Sequence, residues 1–155
     1  MPRRNRFEMA YARIETMLCR PLADLEPGDV VRLRSRGFMD LVCESIMPCE
    51  ETGAPILSLT HYFEQNGDLC QDPEMTIRLF HPESGKGSVL VPSTDQRHGR
   101  AEALTFQQAI PPIYHVVYPE PGTYRPRLHQ ELNEFLGTWL RNLKQQGHAP
   151  VDSES

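Results

Sequence analysis

ILSLTHYFEQNGDLCQDPEMTIRLFH, residues 56–81, is two alternating segments joined by Asn66-Gly67. In the first, Leu57, Leu59 and His61 fall on one side and Ile56, Ser58, Thr60 and Tyr62 on the other; in the second, Met75, Ile77 and Leu79 point inward and Glu74, Thr76 and Arg78 outward. A period of two is the signature of a strand with one buried face. Asn-Gly between two such runs is a strong hairpin signal, because a tight type I′ turn needs positive φ at both central residues. With a two-residue turn, Gln65 pairs with Asp68 and Thr60 lies opposite Pro73, where the missing N–H makes the ladder stop, bulge or lie on an edge. The competing reading makes 65–73 a wide loop, with pairing resuming at Glu74. Either way the chain doubles back on itself, and an antiparallel sheet follows.

Working outward, LEPGDVVRLRSRGFMDLVCESIM reads as a Pro-Gly-Asp turn, a strand near 29–34, a tight turn and a strand near 38–47 with Met39, Leu41, Cys43 and Met47 on its core side. Further extended segments are VLV (89–91), EALTFQQ and IYHVVY. Residues 101–109 admit a helix, but Thr105 and Phe106 favour strand. Phe7, Tyr11, Ile14 and Leu18 mark one face of a helix over roughly 5–19, ended by Arg20-Pro21. Leu128, Leu132, Phe135, Leu136, Trp139, Leu140 and Leu143 form a broad apolar stripe on a C-terminal helix, with Gly147 as its left-handed cap and Trp139 facing the sheet. The expectation is an α+β fold: an antiparallel sheet of about six strands with an N-terminal and a C-terminal helix on one face. One domain spans 1–147, and 148–155 is a flexible tail.

A chain of 155 residues buries a real core. No run of about 18 apolar residues is present, and no apolar segment follows the basic N-terminus, so a soluble, cytosolic protein is expected. Cys19, Cys43, Cys49 and Cys70 form no Cys-x-x-Cys pair and read as buried thiols. The net charge of -5 divides unevenly: residues 1–36 carry eight Arg against five acids, and the remainder eight basic against sixteen acidic residues. An acidic body argues against a dedicated duplex-DNA binder. Arg3, Arg4 and Arg6, with Arg32, Arg34 and Arg36, are nonetheless placed to touch nucleic-acid phosphate; a solvated tail and a solvated hairpin tip are the plainer alternative.

The hairpin itself is the foremost site candidate. Glu64, Asp68, Asp72 and Glu74 lie within residues 61–75 without a Lys or Arg, and such a cluster repels itself unless it is solvated or meets a positive partner. A binding surface of Glu64, Asn66, Asp68, Asp72 and Glu74 for a protein partner is the leading reading. A divalent metal held by His61, Glu64, Asp68, Asp72 and Glu74, serving phosphodiester hydrolysis with His61 as base or ligand, is the alternative. A plain charged loop competes with both, and no resident cofactor is expected. The spacing is not that of an EF-hand, Gly85-Lys86-Gly87-Ser88 lacks the Walker spacing, and no elbow activates Cys43, Cys49 or Cys70 beside His61, His81 or His115. Tyr114, Tyr118 and Tyr124 with the neighbouring prolines either grip a peptide or cap the core beneath the C-terminal helix. An exposed sheet edge offers a route to a homodimer.

LSLTHYFEQNGDLCQDPEM, with GFMDL, AEALTFQQ and LNEFLGTWLRNLKQQGH, resembles a family of small bacterial proteins classed as a domain of unknown function, often met on plasmids and other mobile elements; EMTIRLFH and LHQELNEFLGTWLRN are more weakly similar to the YqiB-like family. The first resemblance spans roughly 37–148 and departs at Cys70, where Met is expected. It implies a compact α+β domain with no assigned activity, and it raises Asn66, Gly67, Asp68, Asp72, Pro73 and Glu74 above the rest of the surface. Gly67 has a structural explanation in its positive φ, and Asp68 and Asp72 have one as turn caps.

Overall fold

The computed structural model describes residues 4–49, 52–65, 68–82, 98–109, 112–120 and 122–151, with backbone alone for 62–65 and 68–72. Helix α1 (Arg6–Leu18) opens on a capping box: Asn5 Oδ1 accepts from the Glu8 backbone N–H at 2.8 Å and Glu8 Oε1 from the Asn5 N–H at 2.9 Å. It ends at Cys19, which takes φ +59° and returns its N–H to Glu15. The strands that follow are β1 (Val30–Arg34), β2 (Leu41–Ile46), β3 (Ile56–Gln65), β4 (Asp68–Phe80), β5 (Arg100–Gln108) and β6 (Ile113–Val116). Helix α2 (Pro126–Gln146) starts with proline at its first position and closes on Gly147 at φ +85°, where the Gly147 and His148 N–H groups both reach the Leu143 carbonyl. A two-residue strand, β7 (Ala149–Pro150), completes the sheet.

All neighbours pair antiparallel in the order β6-β5-β4-β3-β2-β1-β7, so the α+β expectation holds with seven strands in place of about six. The seventh corrects the expected tail. His148 is buried, Ala149 and Pro150 pair with Arg34 and Leu33, and the Val151 N–H donates to the Arg32 carbonyl. Proline is tolerated there because β7 is an edge strand. Residues 101–109 resolve as strand through Gln108; VLV at 89–91 lies outside the described residues.

One face of the sheet carries Leu33, Leu41, Cys43, Leu57, Leu59, Met75, Ile77 and Leu79, all buried against Tyr11, Ile14 and Leu18 of α1 and Leu136, Trp139, Leu140 and Leu143 of α2. The other face is the more polar one: the Ser58 hydroxyl lies within hydrogen-bond distance of the Thr60 hydroxyl and the Glu74 carboxylate, and the Thr76 and Thr105 hydroxyls meet at 2.6 Å. The helices run in the same sense, since Arg6 and Phe7 lie beside Glu134 and His129 while the C-terminal half of α1 faces Leu140 and Lys144.

Side-chain hydrogen bonds fix the helices to the strands. β6 pairs with β5 over Thr105–Gln108, and among the described residues the earlier edge of β5 has no strand partner on that side. There the buried Asn133 of α2 accepts the Ala103 N–H at 2.9 Å and donates to the His129 carbonyl at 2.7 Å, so a helix side chain finishes the ladder. At the far end of β4 the Tyr11 hydroxyl and His81 Nδ1 are 2.7 Å apart. The Tyr11 ring packs flat on Gly99, where a Cβ would overlap the ring carbons. Gly99→Ala is therefore expected to cost about 1–3 kcal/mol through overpacking. An unchanged midpoint in urea titration would show that the ring has room to yield.

Candidate functional site

The β3–β4 hairpin has the register that a two-residue connection demands: Gln65 pairs with Asp68, Glu64 with Leu69, Phe63 with Cys70 and Tyr62 with Gln71. The register then shifts, and Thr60 lies opposite Glu74 in place of Pro73. One extra residue in β4 is absorbed at Asp72-Pro73, the bulge answering a proline that has no N–H to give. β2 pairs with β3 only as far as His61, and β5 pairs with β4 only as far as Glu74. Beyond those points the hairpin runs on as a two-stranded ribbon with no strand on either side among the described residues.

The ribbon carries the candidate residues, and the register separates some of them. Glu64 and Asp68 occupy successive ladder positions, not facing ones, and Asn66 lies outside the described residues, as do the side chains of Glu64, Asp68 and Asp72. Glu74 stands at the ribbon's base on the polar face, where it accepts from the Ser58 hydroxyl at 3.2 Å. His61 sits on the opposite, core face. It is 7% exposed, its Nδ1 donates to the Asp40 carbonyl at 2.9 Å, and its ring packs on Trp139 and His148. One ion cannot take both His61 and Glu74, so the two are not brought together as co-ligands. Among the described residues no group of three or more His, Cys, Asp or Glu is arranged to hold a metal.

The arginines are partly spoken for. Arg32 and Arg34 both reach the Asp40 carboxylate at 3.4 Å, and Arg6 pairs with Glu134 at 3.9 Å. Arg36 is exposed, Arg4 lies against α1, and Arg3 is outside the described residues. Cys43 is buried as expected, and burial pushes its thiol far up, which removes it as a nucleophile. Cys19 is exposed instead of buried, because it is the left-handed residue that ends α1.

A polar cluster that the sequence did not announce joins β4, β5, the segment after β6, and α2. Glu102 Oε1 accepts from Arg78 Nη2 at 2.7 Å and Nε at 3.1 Å, while Oε2 accepts from the Tyr118 hydroxyl at 2.8 Å and His129 Nε2 at 2.7 Å. Burial alone raises the Glu102 pKa, but the Arg78 hydrogen bond and charge, with Tyr118 and His129, outweigh it and hold the carboxyl below its ordinary value. Burial first, and then Glu102, push the Tyr118 phenol up to about 12. Arg78 also lies over the Phe80 and Tyr118 rings, and Tyr118 stacks on Tyr124 at 5.4 Å. Of the three tyrosines, Tyr118 packs against the core, while Tyr114 and Tyr124 are 63% and 50% exposed. A cavity of about 260 Å³ lined by Phe7, Phe80 and Arg100 adjoins the cluster. With both oxygens of Glu102 already accepting, the cluster clamps α2 to the sheet.

A family model described as a domain of unknown function (DUF6908) matches residues 13–149, extending the expected likeness back into α1. No curated protein and no solved structure matches the chain. Among the described residues, no helix is long and apolar enough to cross a membrane.

Proposed function

The chain belongs to the DUF6908 family, a domain of unknown function, and from that premise we propose that it is a non-enzymatic binding protein whose β3–β4 ribbon is the recognition element. The observation that carries this reading is the overrun of the hairpin past both neighbouring strands. A ribbon with no strand on either edge among the described residues presents main-chain donors and acceptors to a partner, the feature used in strand addition. Its sequence adds Glu64, Asp68 and Asp72 with no cation between Tyr62 and Glu74, so the partner it favours presents a basic surface. A host protein or a nucleoprotein fits that description through its basic protein face. The mobile-element setting rests on the family resemblance alone.

The test compares the wild type with a Glu64→Gln, Asp68→Asn, Asp72→Asn variant as bait in host lysate. Proteins retained by the wild type at low salt are expected to be lost from the variant, while the thermal midpoint changes little. Identical retained sets at matched stability would end the proposal.

A further inference from the structure

Where the C-terminal halves of α1 and α2 lie side by side, they leave a cleft of about 350 Å³, within the range of small-molecule sites. Its walls are Met17 of α1 and Leu140 of α2. Thr16 adds no free donor there, because its hydroxyl is bonded to the Ala12 carbonyl at 3.0 Å. Arg4, Arg13 and Lys144 also line the cleft, and among the described residues none of the three has a carboxylate within ion-pair distance. In a chain of net charge -5, three cations without acidic partners around one apolar cleft select an organic anion.

His148 gives an independent pointer. It lines the same cleft, is 6% exposed, and its Nε2 lies 2.9 Å from the Met39 carbonyl. A carbonyl only accepts, so that nitrogen carries the proton and Nδ1 of the neutral ring is left with a lone pair. Nδ1 is buried and has no hydrogen-bond partner among the described residues. Buried acceptors of this kind are rare in folded proteins and call for a donor that the described residues do not supply.

We propose that the cleft between α1 and α2 binds a small hydroxylated aromatic carboxylate. Its charge meets Arg4, Arg13 and Lys144, its ring lies between Met17 and Leu140, and its hydroxyl donates to His148 Nδ1. The site is separate from the β3–β4 ribbon and stands whether or not the ribbon binds a partner.

Cys19 supplies the readout, since it is exposed and borders the cleft. Iodoacetamide alkylation of Cys19, followed site by site by mass spectrometry, would be measured with 4-hydroxyphenylacetate or phenylacetate present, alongside calorimetric titration of each. The expected result is protection of Cys19 by 4-hydroxyphenylacetate and binding about tenfold tighter than phenylacetate, the worth of one hydrogen bond to an otherwise unsatisfied acceptor. An Arg13→Glu, Lys144→Glu variant of unchanged thermal midpoint should lose both protection and heat. Three outcomes overturn the proposal: no binding of either acid at millimolar concentration, equal affinity for the two, or binding that survives the charge reversal.

Discussion

Glu102→Ala is expected to destabilise the fold by about 3–5 kcal/mol, the penalty for leaving a buried charge without its partner. The Arg78 guanidinium is 13% exposed and the Glu102 carboxylate 12%, so water cannot replace what the substitution removes. Tyr118 and His129 lose their acceptor in the same step. Chemical denaturation of the variant, read by circular dichroism, measures the loss. The companion is Arg78→Met with Glu102→Met, which removes both charges and keeps the volume. Buried pairs replaced by apolar side chains are often close to neutral, so the double variant should recover most of the loss. A double variant as unstable as Glu102→Ala would place the cost in packing instead of charge.

The same cluster fixes how stability responds to acid. Glu102 has its folded pKa held below the unfolded value of about 4.3, so its contribution is complete above that pH and is lost as pH falls through the folded value. His81 behaves with the same sign for a different reason. Burial lowers its pKa, its neutral ring is the form that packs by Tyr11, and stability falls as pH drops below about 6.5. Wild-type stability should therefore decline in two stages on acidification. Glu102→Ala should retain the first stage and flatten the second, which separates the two groups in one titration series.

How far the fold could be read beforehand follows from the range of the interactions that set each element. The β3–β4 hairpin is local: alternation and Asn66-Gly67 place Gln65 opposite Asp68 without reference to the rest of the chain. Pro73 forces an irregularity, but only packing chooses a bulge over a stop, and that choice moves Glu74 opposite Thr60. β7 was illegible because Ala149-Pro150 has neither alternation nor length; it exists because β1 has an edge to fill next to the capped end of α2. His61 reads as a surface ligand in its acidic neighbourhood, yet strand parity places it with Leu57 and Leu59 on the core face. The Glu102 cluster gathers side chains from positions 78, 102, 118 and 129, a juxtaposition that no local pattern encodes.

Trp139→Ala should cost about 3–5 kcal/mol, the range for emptying a buried large aromatic site. The indole is 6% exposed and lies between the His61 ring at 5.6 Å and the Phe135 ring at 5.8 Å, where no neighbour can fill its volume without a shift of α2. At about 2–4 °C per kcal/mol for a domain of this size, the thermal midpoint should drop by roughly 6–20 °C, a large part of an ordinary stability margin. Phe135, one turn earlier on α2 and 37% exposed, is the internal control: its replacement by Ala should cost clearly less, because much of its ring is already in water. Trp139 is the chain's one tryptophan, so wild-type emission reports its burial directly, and a blue-shifted maximum that moves red on unfolding is the expected signal. A Trp139→Ala loss below about 1 kcal/mol, or a loss no larger than that of Phe135→Ala, would mean that α2 packs through another face. The His61–Trp139–His148 contact would fail with it, and so would the placement of His148 beside the cleft between the helices.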